Sequence, residues 1–349
     1  MSRNYDIALI GFGNVNRTFA DIIHTEGARL AGELGFTMRV TAIADMRMGT
    51  LVAPGGIDLG AVLALDRSQT LADVPGGSAD CDVEALIRTS PADIVCEATF
   101  TNPVDGQPGL SHVRWALESG MSVCTTNKGP AAFASEELEA LAAANGVRFE
   151  FEGAVMSGTP VLRLASGPLL GVGITGFSGI LNGTSNFILD RMESEGLTQE
   201  VALREAQRLG YAEADPTADI GGSDVRLKVS VLAKELLGAH LTPDDIPTHG
   251  ITSITPAMIH DAAAKGARWK LIGRAGRGAD GVVTAEVGPQ MLDRSHPLAM
   301  IGGQTNAVTF ETTYLGQVTI AGPGAGRVET AYALLSDIIA IDQYFRAAS

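Results

Sequence analysis

At 349 residues with 45% hydrophobic side chains, the chain is long enough for two domains with their own cores. A formal charge of −15 argues against nucleic acid or an anionic membrane as partner, and no apolar run approaches the length that spans a bilayer. The cysteines at 81, 96 and 124 are odd in number and unclustered, and the histidines lack metal-ligand spacing; this excludes a disulfide framework and a zinc site and points to a reducing, cytoplasmic setting.

The first residues read as a strand of the fold and carry no signal-peptide pattern. Residues 6–10 form a short apolar strand, and Gly11-Phe12-Gly13-Asn14-Val15-Asn16 leads into an amphipathic helix through Ile23. Strand, glycine turn and helix together make a dinucleotide cradle. Gly11 permits the tight turn, Gly13 lets backbone approach a pyrophosphate, and the phosphates sit at the positive end of the helix beginning near Asn14. Asn16 stands where the third glycine of that fingerprint belongs, adding a side chain where the helix should approach the pyrophosphate. The second strand, 40–44, ends at Asp45, which suits the ribose hydroxyls of NAD. Arg47 suits the 2′-phosphate of NADP instead, so both cofactors stay open, with NADP favoured if Asp45 swings aside. The segment 49–75 is long for a strand–helix connection and is expected to pass over the cofactor cleft.

Further strands at 93–98, 121–125 and 147–151 alternate with helices from about 111 to 118 and from near Glu136 and Glu137 to Ala144. This is an α/β pattern, a Rossmann-type doubly wound parallel sheet over residues 1–151. From 152 to 310 the texture changes to glycine-rich turns and strands, then helices near 184–193, 198–209 and 223–237, as in an α+β domain for substrate and dimerisation. The tail, 311–349, holds a strand at 317–321, the turn Gly322-Pro-Gly324-Ala-Gly326 and a helix from about 329 to 341. It is expected to return to the nucleotide domain, with Gly324 a candidate cofactor contact.

The densest chemistry lies between residues 190 and 228. Asp190, Glu213, Asp215, Asp219 and Asp224 accompany one isolated lysine, Lys228, within about forty residues. Asp224 and Lys228 are four apart at the start of a run with apolar residues at 225, 227, 229, 231, 232, 236 and 237, which puts both on one helix face. A lysine beside carboxylates and apolar packing suits proton donation to a small polar substrate. The alternative for an isolated pair of this kind is a surface ion pair.

Taken together, Gly11-Phe-Gly-Asn-Val, Thr125-Thr-Asn-Lys-Gly-Pro130, Gly179-Ile-Leu-Asn-Gly-Thr-Ser-Asn-Phe187, Gly210-Tyr-Ala-Glu-Ala-Asp-Pro216, Asp224-Val-Arg-Leu-Lys228 and Gly322-Pro-Gly-Ala-Gly326 closely resemble homoserine dehydrogenase over nearly the whole chain. With its end at Ser349, the chain looks like the short form without a regulatory extension. The resemblance implies reversible hydride transfer between NAD(P)H and L-aspartate 4-semialdehyde, giving L-homoserine in threonine and methionine biosynthesis, and a homodimer as the assembly. It implies Lys228 as acid/base, with Lys128 second, and Glu213 and Asp224 for the substrate ammonium, with Asp219 beside them. Asn182, Gly183 and Thr184, opening a helix, are expected to offer N–H groups to the substrate carboxylate or the nicotinamide amide, or simply to cap the helix. Thr99, Thr101 and Asn102 are expected along the nicotinamide ribose. Glu152, Val155, Ser157 and Thr159 resemble a loop that holds a monovalent cation such as sodium through carbonyl oxygens.

Two rival functions stand beside this one. A paralogous oxidoreductase would act on a different amino or hydroxy aldehyde, and a non-catalytic nucleotide sensor would have no use for both lysines. Thiohemiacetal chemistry of the glyceraldehyde-phosphate type is disfavoured, because Cys96 and Cys124 sit within strands without a histidine partner.

Overall fold

The computed structural model describes residues 3–66 and 68–348, and the chain divides into two compact units, residues 1–154 with 326–349, and residues 155–325. In the first unit, β1 (Arg3–Ile10) leads through the glycine turn into α1 (Asn14–Leu34), followed by β2 (Phe36–Asp45), β3 (Gly49–Val52), α2 (Leu59–Ala64), β4 (Gly77–Ser78), α3 (Val83–Thr89), β5 (Ile94–Glu97), α4 (Gly109–Glu118), β6 (Ser122–Thr125), α5 (Lys128–Ala144) and β7 (Phe149–Glu150). The described strands form one sheet in the order β4-β3-β2-β1-β5-β6-β7. β1, β2, β5, β6 and β7 run parallel, whereas β3 and β4 are antiparallel additions at one edge. The segment 49–75 is therefore in part an extension of the sheet. This corrects the expectation of an excursion over the cleft: Leu51, Leu71 and Val74 are buried in the same core as β1 and β2.

β1 is central, and its residues Ile7 to Ile10 are fully buried, as a parallel strand covered on both faces requires. α5 begins at Lys128, eight residues before the expected start. It is one helical stretch interrupted at Ala134 (φ −147°), so the sequence signal near Glu136 marks its second half. Strand β7 is shorter than expected, two residues against five.

The chain then makes α6 (Gly153–Met156). In the second unit follow α7 (Val161–Ser166), β8 (Ile174–Ile180), α8 (Gly183–Glu195), α9 (Gln199–Arg208), α10 (Thr217–Ile220), α11 (Ser223–Leu237), α12 (Pro256–Ala264), β9 (Ala267–Arg277), β10 (Val283–Asp293), β11 (Thr305–Thr312) and β12 (Gly316–Pro323). Its described strands form an antiparallel sheet in the order β10-β9-β8-β11-β12. Since β12 pairs with β11 along its whole length, the return to the first unit begins at Gly326 and not at 311. There α13 (Arg327–Ala347) buries Ala331, Leu334, Leu335, Ile338 and Ile341 in the core of the first sheet. No described helix is long and apolar enough to cross a membrane.

Candidate active site

The nucleotide end of the first unit is organised at the C-terminal ends of β1, β2, β5 and β6, the side where such sheets bind ligands. Gly11 has φ +80°, and a Cβ there would meet the Ala98 carbonyl oxygen and Thr99 Cγ2 at 2.9 Å, so only glycine fits. Gly13 caps α1 and has open space around its Cα, leaving room for a phosphate at the helix end together with exposed Asn14 and half-buried Val15. Phe12 is buried, and its N–H donates to Asp45 Oδ2 at 2.9 Å. Asp45 Oδ1 accepts from the N–H groups of Arg47 and Met48 at 2.9 and 3.2 Å. Those bonds hold the carboxylate at the end of β2, and Arg47 is exposed on the turn beyond it.

Asn16 is fully buried and points inward, its amide Nδ2 donating to the carbonyl oxygens of Ile10, Gly11 and Cys96 at 3.0–3.1 Å. It ties the ends of β1 and β5 together, which corrects the expectation that it intrudes on the pyrophosphate. Thr99, Thr101 and Asn102 are half-buried in the loop after β5, where Asn102 Oδ1 accepts from the Val104 N–H at 2.9 Å. Lys128 is half-buried in the first turn of α5, capped by Asn127, whose Oδ1 accepts from the Gly129 N–H at 3.0 Å.

In the second unit, four of the expected residues converge. Asn182 caps α8, its Oδ1 accepting from the Ser185 N–H at 2.8 Å, while its Nδ2 donates to Asp219 Oδ1 at 2.7 Å and Asp224 Oδ2 at 3.0 Å. Lys228 is buried, and its Nζ donates to Asp224 Oδ2 at 2.8 Å and the Leu181 carbonyl oxygen at 2.6 Å. Burial raises the Asp219 carboxyl above its usual range; Asn182 donation and the Lys228 charge oppose this, and Asp224 adds to it. One amide thus links two carboxylates to one buried ammonium, which is more than a surface pair. Gly183 opens α8, and a Cβ there would meet the Gln304 carbonyl oxygen at 2.7 Å, so the helix end is seated directly on the loop before β11. Thr184 Oγ1 donates to the Tyr211 carbonyl oxygen at 2.7 Å, fixing the loop that carries Glu213.

The remaining acids are dispersed. Glu213 is exposed, its backbone oxygen accepting from Gln207. Asp215 is exposed and binds Thr217, and Asp190 Oδ2 accepts from the Gly303 N–H at 3.0 Å. Gly324 lies over the amide of buried Asn306, which would collide with a Cβ at 2.0 Å. Of the loop expected to offer carbonyls to a monovalent cation, Glu152 and Val155 are buried. Ser157 has a left-handed φ of 52°, and Thr159 Oγ1 donates to the Pro323 carbonyl oxygen at 2.9 Å.

Several buried ionisable groups escaped the sequence reading, Glu97 and Lys270 among them. Glu97 ends β5 fully buried. Lys270, in β9, donates from Nζ to Asn186 Oδ1 at 2.9 Å and the Ile301 carbonyl oxygen at 2.6 Å. Both sit within strands of ordinary apolar pattern, so nothing local distinguishes them from surface residues of the alternating face.

Comparisons with known proteins bear on the family. Family models for homoserine dehydrogenase and for the homoserine dehydrogenase NAD binding domain match residues 160–339 and 11–152. The chain is 54% identical to an NAD(+)-dependent homoserine dehydrogenase of Pseudomonas canavaninivorans, over 97% of this chain and 96% of that one. It is 36% identical to homoserine dehydrogenase of Methanocaldococcus jannaschii, over 96% and 98% of the two chains. The crystal structure of a homoserine dehydrogenase from Thiobacillus denitrificans superposes with a TM-score of 0.85 at 30% identity, covering 99% of this chain and 74% of that chain. A hyperthermophilic archaeal homoserine dehydrogenase in complex with NADPH superposes with a TM-score of 0.83 at 29% identity, covering 98% of each chain. With two matched units, full-length relatives and a dinucleotide cradle built from its own residues, the chain belongs to the homoserine dehydrogenase family, NAD(P)-dependent oxidoreductases acting on a CH–OH group.

Proposed function

We propose that the chain interconverts L-homoserine and L-aspartate 4-semialdehyde with NAD as preferred cofactor, and that Lys228 is its acid/base. The observation that carries the assignment of Lys228 is the buried Lys228–Asp224–Asn182–Asp219 cluster. A nicotinamide cofactor held at the turn of Gly11 and Gly13 and at Asp45 would supply the hydride acceptor for oxidation and the hydride donor for reduction. As the neutral amine, Lys228 takes the hydroxyl proton while the alcohol is oxidised, and the ammonium so formed returns it to the oxygen as the aldehyde is reduced. Asp224 supplies the countercharge to Lys228, and together with Asp219 it gives the substrate ammonium an anionic partner. Glu213, exposed on its loop, is the third acid of that set. Lys128, in the first unit, is a second cation for the reaction.

Support for NAD comes from Asp45. A carboxylate offers about four acceptor sites, and backbone N–H groups use three of them, so one remains for a ribose hydroxyl while its charge opposes a 2′-phosphate. The 54% identical relative is NAD(+)-dependent, whereas the archaeal structure holds NADPH.

The test is the initial rate of nicotinamide reduction with L-homoserine at alkaline pH, run with NAD and with NADP, for the native chain and Lys228→Ala. The native chain should turn over faster with NAD. The variant should lose at least about a hundredfold in turnover, as for loss of a general acid, with cofactor affinity nearly unchanged. Equal loss of cofactor binding would sink the role of Lys228, and no turnover by native protein that binds the cofactor would favour a different aldehyde.

A further inference from the structure

Glu97 is fully buried, and His112 of α4 faces it, with Nδ1 3.9 Å from Oε1. A buried carboxylate is costly unless its oxygens are occupied, and here each is. Oε1 accepts from the N–H of Thr99 at 2.9 Å and from the Thr99 hydroxyl; Oε2 accepts from the Thr125 hydroxyl at 2.6 Å. From Thr125 the bonds continue. Its Oγ1 accepts from the Asn127 N–H at 3.0 Å, Asn127 Oδ1 accepts from the Gly129 N–H at 3.0 Å, and Asn127 Nδ2 donates to the Phe100 carbonyl oxygen at 3.2 Å. Packing leaves this chain of bonds no slack, since a Cβ at Gly109 would meet Asn127 Nδ2 at 2.4 Å.

We propose that Glu97 is a positioning residue for hydride transfer, acting through Thr125 and Asn127 on the first turn of the Lys128 helix. The polarity of the bonds favours a carboxylate over an amide here. Thr125 donates its hydroxyl hydrogen to Glu97 and accepts from Asn127 through one of its two lone pairs, and Thr99 presents two donors to the other oxygen. A glutamine that keeps its oxygen toward Thr99 turns its NH₂ toward Thr125, whose hydroxyl hydrogen must then rotate away, so the link to Asn127 is disturbed. Burial pushes the Glu97 carboxyl up, but His112 and the donors of Thr125 and Thr99 outweigh it and hold the group below the usual carboxylate range. The carboxylate is therefore present throughout the pH range of the assay.

The inference rests on the reading of Lys128 as a second cation for the reaction, and a double-mutant cycle separates the two. In the native background Glu97→Gln should lower turnover with homoserine and NAD by about tenfold to a hundredfold, the scale of a small misplacement of a reacting group. The isotope effect from homoserine deuterated at the carbinol carbon should rise, and the Kd for NAD should stay within about threefold, because Asp45 and the glycine turn are untouched. In the Lys128→Ala background the same substitution should cost less than about threefold. Equal losses in both backgrounds would overturn the relay while leaving Lys128 in place; native turnover in Lys128→Ala would overturn the reading of Lys128 and the relay with it. Should Glu97→Gln not fold, Thr125→Val against Thr125→Ser decides. Valine should slow turnover and raise the isotope effect while serine restores both, and a valine variant with native turnover would overturn the proposal.

Discussion

Asp45 and Asn16 show how much one side chain at a strand end determines. Asp45 spends three acceptor sites on the turn it closes and keeps its charge at the end of β2, where we place the ribose. Asp45→Ala removes both the acceptor and the repulsion. We expect kcat/KM for NAD to fall by about tenfold or more, the worth of one charge-assisted hydrogen bond, while the value for NADP holds or rises. An unchanged NADP to NAD ratio would refute the role. Asn16 illustrates the opposite kind of legibility. The glycine fingerprint flags its side chain as an intrusion, yet the burial that decides its direction depends on Cys96, eighty residues away. Glu97 was invisible for the same reason, since its partners at 99, 112 and 125 meet only once β5 and β6 are paired.

At the scale of elements, helix α8 and β9 hold the seat of the second unit. Asn186 Nδ2 donates to the carbonyl oxygens of Ile301, Gly303 and Thr305, and Lys270 holds Asn186 from below, so the loop under Gly183 is clamped from two sides. Burial brings Lys270 from 10.5 down to about 8; Asp190 and Glu193 pull it up, and Arg268 pushes it further down. The sign follows from proton counting. Below pH about 8 the folded and unfolded chains both carry the proton, and the buried charge costs its full penalty. Between about 8 and 10.5 the unfolded chain binds more protons, so this penalty is relieved as pH rises. Both acceptors can still be served by a neutral amine, which keeps two hydrogens. Measured by thermal unfolding, the advantage of the native chain over Lys270→Met should therefore grow between pH about 7 and about 9.5. An advantage that shrinks over that window would contradict the buried-charge account. The α8 and α11 helices were readable from caps and apolar spacing, whereas the clamp was not, because Asn186 and Lys270 are 84 residues apart.

Over the whole molecule, the chain builds most of the first unit, completes the second, and returns at Gly326 to finish the first with α13. That helix places Leu334, Ile338 and Ile341 at zero exposure, and Asp342 accepts from the Tyr5 hydroxyl at 3.1 Å. Each buried aliphatic side chain contributes about 1.5–3 kcal/mol of gross burial energy, so removing the helix strips several such contributions from the core of the first unit. A chain stopped at Gly326 should lose cooperative unfolding of the nucleotide unit and measurable NAD binding in calorimetry; retained binding would show the return helix to be dispensable. By itself the sequence determined the alternating α/β order, the glycine turn, the Asp224–Lys228 helix face and the family, because these depend on short-range spacing and on motifs read in chain order. Tertiary structure alone decided that 49–75 extends the sheet, that β12 belongs to the second unit, that Asn182 draws Asp219 to the Asp224–Lys228 pair while Asp190 and Asp215 stay apart, and that Glu97 and Lys270 are buried. Each of those outcomes rests on strand pairing or desolvation between residues far apart in the chain, and no local pattern carries that information.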